Sequence, residues 1–250
     1  MNADPLLTRL FAGQDRQLVP HLSVDCAIFG FHEGQIKLLL LRWRHLRAWS
    51  LPGGFVRTGE PLDGAAERVL RERTGLDRVY LRQFHAFGGI DRGEDALLPA
   101  FKAMGAKPPP DHWIVSRIVS VAYFALVDVA KVALRPDAFS EECRWWDLNE
   151  RPPLLFDHDE ITDLALETLR AQLDYLPLAA NLLPEKFTMP ELQRLYETVL
   201  GTSLDRRNFQ KRMLDQGSIV RLKERKTGGA HRSPFLYRFA RSARSRGLTP

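Results

Sequence analysis

The sequence predicts an α+β chain, a sandwich of helices on a sheet followed by a small helical domain that ends in a β-ribbon. Two observations carry that prediction. Strand-like runs and amphipathic helices interleave as far as residue 173, after which a helical segment and a ribbon follow. Charge divides at nearly the same place: from Pro184 onward fifteen Lys and Arg face six Asp and Glu, a surplus of +9, whereas the preceding 183 residues carry −4. A neutral-to-acidic body joined to a basic appendage is the pattern of a protein whose second part meets nucleic acid.

The elements follow in order. Residues 22–29 and 36–41 are apolar strand-like runs around a connection containing His32, Glu33 and Gly34, and they read as a hairpin or two neighbouring strands. WSLPGG, residues 49–54, is a breaker cluster and reads as a loop. Residues 62–74 place Leu62, Ala66, Val69 and Leu70 at helical spacing, with Gly75 as the expected C′ residue. Residues 81–87 and 118–127 read as strands, and residues 93–110, ending in three prolines, as a long surface loop. Arg151, Pro152 and Pro153 break the chain before a helix at 159–173. The expected segments are an N-terminal extension (1–20), a first domain (21–152), a linker helix region (153–183), a basic domain (184–240) and a basic tail (241–250).

Several classes are excluded early. With 44% hydrophobic and 27% charged residues the chain has the composition of a globular protein and can bury a sizeable core. No apolar run reaches the ~20 residues of a spanning helix, and the charged first twenty residues do not read as a secretory signal, so a cytoplasmic protein is expected. Cys26 and Cys143 form neither a zinc spacing nor a disulfide framework and read as buried thiols.

The densest chemistry lies in GGFVRTGEPLDGAAERVLRERTGL. A glycine pair lets backbone approach a ligand, and the helix behind it offers free N–H groups to phosphate. The stretch resembles the Nudix box, Gx5Ex7REUxEExGU with U aliphatic, matched by Gly54, Glu60, Arg68, Leu70, Glu72, Gly75 and Leu76. In that family three glutamates on one helical face converge on divalent metal bound to a diphosphate. Here the three positions are Val69, Glu72 and Arg73. One carboxylate beside an arginine is a poor magnesium site, so no catalytic residue, metal or cofactor is expected. Arg73 instead stands where the metal charge would lie and can hold phosphate by paired hydrogen bonds. The candidate ligand-binding residues are Trp49, Gly53, Gly54, Arg68, Glu72, Arg73, Arg92 and Arg117. Blander roles compete for several: Val69 as core, Glu60 as a turn residue, Arg73 as an ion-pair partner of Glu72, Trp49 as loop packing, Arg92 and Arg117 as solvated arginines.

The basic domain reads as two helices, a turn and a ribbon. Thr188, with Glu191 three residues on, caps a helix striped by Leu192, Leu195, Tyr196 and Val199 that ends at Gly201. Thr202 or Ser203 is expected to cap a second helix from about Leu204 to Asp215. On it Met213 lies about 40° from Phe209, and Arg207 and Lys211 about 160° away, so an apolar anchor and a cationic face share one helix. Strands at 219–222 and 235–239 enclose the basic loop KERKTGGAHRSP. This order is that of a winged helix-turn-helix domain. Arg206, Arg207, Asn208, Lys211 and Arg212 are the recognition-helix candidates, with Arg207 and Lys211 best placed for bases; Lys226, His231 and Arg232 are candidates in the wing.

The combination, and especially FTMPELQRLYETVLG, LDRRNFQKRM and FLYRF, resembles the Nudix-related transcriptional regulators of the NrtR family. That resemblance implies a Nudix-type α/β/α sandwich with a C-terminal winged helix-turn-helix domain, in a homodimer on a palindromic operator in double-stranded DNA. It further implies repression of NAD-metabolism genes until ADP-ribose or a related metabolite occupies the Nudix domain. Residues 93–110 depart from the family, where a shorter connection is usual. Two alternatives stand beside this reading: a sugar-responsive regulator of the same architecture, and an active Nudix pyrophosphatase in which Glu67 or Asp91 rebuilds the metal site.

Overall fold

Ten strands and four longer helices arise where the sequence alternates apolar runs with helical stripes. The computed structural model describes residues 17–240 apart from 33, 45, 77–78, 91, 93–97, 100, 103–104, 106, 110–111, 133, 135–139, 174–181 and 227–232. Residues 1–16 of the expected extension, the basic tail, Asp91, His231 and Arg232 therefore lie outside the described residues. The described chain forms two compact units. One takes residues up to 29, 37–125 and 132–167; the other takes 30–36, 126–131 and 168 onward.

The first unit is built on a seven-stranded sheet. Strand β1 (Leu18–His32) and β2 (Gln35–Trp43) are the expected pair of apolar runs, and both are longer than their hydrophobic centres. Beside β1 runs β6 (Val119–Asp128), followed by β5 (Arg82–Phe87). Strand β7 (Ser140–Asp147) joins through β2, with Lys37 opposite Asp147 and Leu41 opposite Cys143. Its sequence, SEECRWWD, lacks apolar alternation, so it carries no strand signal of its own. Cys26 is buried and Cys143 partly so.

WSLPGG is not a loop throughout. Trp49–Ser50 pairs with β2 as β3, and Gly53–Arg57 pairs with β1 as β4, leaving only Leu51 and Pro52 between them. Cys26 donates its N–H to Pro52 O at 2.9 Å, which keeps even this connection on the sheet. Glycine weakens an isolated strand, yet it suits one whose neighbour comes very close. Helix α1 (Leu62–Thr74) then buries Ala65, Ala66, Val69, Leu70 and Thr74, and ends at Gly75 with φ 76°. That left-handed conformation is the reason glycine occupies the position. Helix α2 (His158–Gln172) begins in the first unit and ends in the second.

In the second unit, α3 (Met189–Leu200) starts with a complete capping box: Thr188 Oγ1 accepts the Glu191 N–H, and Glu191 accepts the Thr188 N–H at 2.7 Å. Its buried face of Met189, Leu192, Leu195, Tyr196 and Val199 is the stripe read from the sequence. Helix α4 (Arg206–Asp215) is capped by Asp205, which accepts the Asn208 N–H at 2.9 Å, rather than by Thr202 or Ser203. A carboxylate at that end also answers the positive pole of the helix, and the cap two residues later shortens the helix by one turn's edge. Phe209 and Met213 anchor α4, with the Phe209 ring 5.1 Å from that of Tyr196. A three-stranded sheet completes the unit: β10 (Phe235–Phe239) lies between β8 (Phe187–Thr188) and β9 (Ile219–Arg225). Among the described residues no helix is long and apolar enough to cross a membrane.

The capping box makes a measurable claim. Thr188→Ala should lower the stability of the second unit by about 1 kcal/mol in urea unfolding, whereas Thr188→Ser, which keeps the hydroxyl, should stay close to wild type.

Candidate functional site

The glycine loop and α1 are laced together by one arginine. Arg68 donates Nε and Nη2 to the two carboxylate oxygens of Glu60 at 2.8 and 2.6 Å, Nη1 to Glu72 at 2.9 Å, and Nη2 also to Phe55 O at 2.9 Å. Glu60 accepts the Arg57 N–H at 2.8 Å, and Arg57 reaches the other oxygen of Glu72 at 3.1 Å. The hydrogen bonds from Arg68 hold Glu60 below the usual carboxylate range. Val69 is buried against Gly54, where an added Cβ would stand 3.0 Å from Val69 Cγ2. Arg73 donates Nε to Gly53 O at 3.1 Å.

Those contacts decide whether a magnesium ion fits. A hard dication needs several anionic oxygens free to face it. Here Glu60 and Glu72 are satisfied by guanidinium groups, Val69 offers no oxygen, and Arg73 brings positive charge to the same edge. Among the described residues no group of three or more His, Cys, Asp or Glu side chains is placed to hold a metal. The residues present do not fit the divalent site of a working Nudix hydrolase.

Beneath the glycine pair lies a buried polar cluster that sequence reading missed. Asp25, in the apolar middle of β1, accepts Arg92 Nη2 at 2.8 Å and Ser120 Oγ at 2.5 Å. His158 Nδ1 accepts the Leu51 N–H at 3.0 Å, so its ring proton lies on Nε2, 3.5 Å from Asp25 Oδ1. Burial alone would raise the Asp25 pKa, but His158, Arg92 and the Ser120 hydroxyl together hold it well below the usual carboxylate range. Burial, followed by the Asp25 charge, pushes the adjacent Cys26 thiol up. An added Cβ on Gly53 would stand 2.0 Å from Asp25 Oδ1, which explains the first glycine of the pair as a packing requirement.

The remaining sequence candidates divide by exposure. Arg92 is 8% exposed, with Nε on Asp157 Oδ2 at 2.7 Å as well as its bond to Asp25. Trp49 is buried with its ring 5.1 Å from that of Trp146. Arg117 is exposed and donates to Gly88 O at 2.6 Å. An aromatic group unsuspected from sequence lies nearby: Trp43, Phe55, Trp113 and Phe156, all partly exposed, pack on buried Phe101, Ile114 and Ile118. The Phe55 and Trp113 rings meet edge to face at 5.0 Å. Phe156 holds φ 60°, a costly conformation for an aromatic residue, and thereby sets Asp157 and His158 into the polar cluster.

In the second unit Arg206, Arg207, Asn208 and Lys211 stand exposed on α4, and among the described residues no carboxylate pairs with the three cations. Arg212 is half-buried with its guanidinium 5.6 Å from the Phe209 ring. Gln210 reaches Tyr237 OH at 3.5 Å. Lys226 is bonded to Glu191 at 2.7 Å.

Comparison with known proteins places both units. The NUDIX domain family model matches residues 19–165, and the NrtR DNA-binding winged helix domain model matches residues 179–239. The chain is 33% identical over 228 residues to the ADPR responsive transcriptional repressor NtrR of Acinetobacter baylyi, covering 88% of this chain and 82% of that protein. It is 28% identical over 145 residues to the ADP-ribose pyrophosphatase of Methanocaldococcus jannaschii, covering 56% of this chain and 72% of that protein. The crystal structure of Shewanella oneidensis NrtR complexed with a 27mer DNA superposes with a TM-score of 0.65 at 27% identity, covering 90% of this chain and 95% of that one.

The buried cluster yields a pH prediction. Because the folded pKa of Asp25 lies below its unfolded value of about 3.9, its contribution is complete above that value and is lost as pH falls towards the folded one. Asp25→Asn should destabilise the protein by about 3–5 kcal/mol at pH 7, by leaving buried Arg92 short of a partner. Between pH 5 and 3 its stability should fall less steeply than that of wild type. Equal denaturant midpoints at pH 7 would remove Asp25 from this role.

Proposed function

The chain belongs to the Nudix family and, within it, to the NrtR regulators, and we propose that it is a DNA-binding repressor whose Nudix domain senses ADP-ribose without hydrolysing it. The observation that carries this reading is the fate of the acidic triad. Val69 is core, Glu72 is held by Arg57 and Arg68, and Arg73 lies on the glycine strand. Positive charge therefore stands where an enzyme of this fold would gather carboxylates, which suits binding a diphosphate and disfavours activating water against it. Similarity to a repressor described as ADPR responsive supports the choice of effector. The exposed rings of Phe55 and Trp113 offer an adenine a stacking surface, and Arg73 and Arg117 offer its phosphates guanidinium donors. Trp49, Gly53, Gly54, Arg68, Glu72 and Arg92 serve that site by fixing its walls.

On the DNA side, α4 enters the major groove with Arg207, Asn208 and Lys211 towards the bases and Arg206 and Arg212 towards phosphate. A homodimer places two such helices on a palindromic operator, and genes of NAD metabolism are the expected targets of an ADP-ribose sensor. The coupling runs through α2. At its start His158 holds the Leu51 N–H beside the glycine pair; near its end Arg170 donates Nε to Val199 O of α3 at 3.0 Å. A ligand that shifts the glycine strand shifts the helix it is bonded to, and a coupling of ~2–3 kcal/mol releases DNA ~30- to 150-fold.

The competing reading is a pyrophosphatase, favoured by similarity to the Methanocaldococcus enzyme. Exposed Glu67 stands on α1 to supply one more carboxylate, and Asp91 lies outside the described residues. Mobility shifts should show binding to an operator selected from random duplex, weakened by ADP-ribose. Arg207→Ala and Lys211→Ala should each cost about 1–3 kcal/mol at that operator. Turnover of ADP-ribose with magnesium or manganese at ordinary enzyme rates, without specific DNA binding, would reverse the assignment.

A further inference from the structure

Strand β9 sorts its charges into two kinds. Glu224 pairs with Lys186 at 2.6 Å, and Lys226, just beyond the strand, with Glu191 at 2.7 Å. These ion pairs tie the base of the hairpin to β8 and to the start of α3. Arg221, Lys223 and Arg225 have no such partner: among the described residues no carboxylate lies within ion-pair distance of any of them, and all three are exposed.

Two of these cations converge. Arg221 and Arg225 are four positions apart, ~13 Å along an extended strand. Their guanidinium carbons nevertheless lie 3.5 and 3.9 Å from the centre of one ring, that of Phe235. The register accounts for this. Arg225 stands opposite Phe235 and Arg221 opposite Tyr237, with a bulge between the two pairs that folds the intervening stretch together. Arg225 is further fixed by donating Nη1 to Ser233 O at 3.0 Å. Attraction to the ring face holds each cation, while their mutual repulsion remains uncompensated until an anion arrives between them. Gln210 of α4 reaches Tyr237, so the cation pair emerges on the side of the sheet that faces the α4 helix.

We propose that Arg221 and Arg225, held on the Phe235 ring, form a preorganised clamp for a backbone phosphate of duplex DNA, beside the groove entered by α4. Lys223 extends the same contact. The inference rests on the DNA-binding reading and adds to it a site outside the recognition helix and outside the tip of the wing. Its physical content is that ring and bulge fix the two guanidinium groups before binding, so little side-chain freedom is lost when the phosphate docks. Phosphate contacts position a protein without reading sequence. The clamp therefore contributes equally at every sequence.

Fluorescence anisotropy with the full-length protein tests this on two labelled probes, a mixed-sequence duplex and a duplex selected by the wild type from a random pool. Arg221→Ala and Arg225→Ala should each weaken binding about five- to tenfold on both probes and lower the slope of log K against log salt by about one. Phe235→Leu, which keeps both charges and frees them, should weaken binding with the slope retained. Thermal melting of each variant near that of wild type establishes that the fold is intact. If wild type discriminates between the probes and the three variants bind like wild type, the clamp is refuted and the regulator reading stands. If wild type shows no discrimination while the variants still lose affinity and slope, the clamp stands and the operator-binding reading falls.

Discussion

The first unit is organised around a single buried negative charge. A carboxylate in an apolar strand is costly unless every lone pair is answered, and Asp25 is answered from three directions by Arg92, Ser120 and His158. Each answer fixes a different part of the fold. Ser120 holds β6 beside β1, Arg92 brings in the start of the long connection after β5, and His158 sets the first residue of α2. Gly53 is the fourth consequence, because only a residue without Cβ passes the carboxylate at the distance β4 requires. The glycine pair that looked like a ligand loop is thus first a packing solution. Its openness to a ligand is a by-product of that solution.

What could be read from sequence follows the range of the forces involved. Helices α1 and α3 declare themselves through local period and caps, and Thr188 with Glu191 is a signal spanning three residues. The start of α4 was misplaced because three adjacent residues, Thr202, Ser203 and Asp205, can all cap, and only the fold chooses Asp205. Strands β4 and β7 were invisible for a different reason: glycines in one and charges in the other depart from strand preference, and pairing with β1 and β2 overrides it. The buried cluster lies beyond any local pattern, since Asp25 meets partners 67 and 95 positions away. A lone aspartate within the apolar run of residues 22–29 was the one visible sign of it.

Charge composition was informative about the two units and silent about individual residues. The basic surplus after Pro184 correctly marks the unit matched by a DNA-binding family, yet Lys226, the cation singled out nearest the wing, is held by Glu191. Arg68 shows the same limit in the first unit. It falls on the Nudix pattern, and its role is to bind Glu60, Glu72 and the Phe55 carbonyl together. A cation's availability depends on who neutralises it, and that is a property of the folded chain.

The loss of carboxylates from α1 and the presence of a sensor's coupling helix can be one change rather than two. A metal-loaded hydrolase must release its product, so tight retention of a diphosphate ligand opposes turnover. A sensor has the opposite requirement, because its effect on DNA is limited by the difference in affinity between its two states. Replacing acidic positions by Val69 and Arg73 removes the means of cleavage and leaves a ligand to be held by fixed guanidinium groups. The strand that meets such a ligand is bonded through Leu51 to His158, and His158 begins the helix whose far end holds Val199. Displacement of that strand is therefore resisted at one end of α2 by a buried ion cluster and felt at the other by a helix of the DNA-binding unit. Rigidity at Asp25 is what makes the connection useful, since a soft core would absorb the shift before α2 moved.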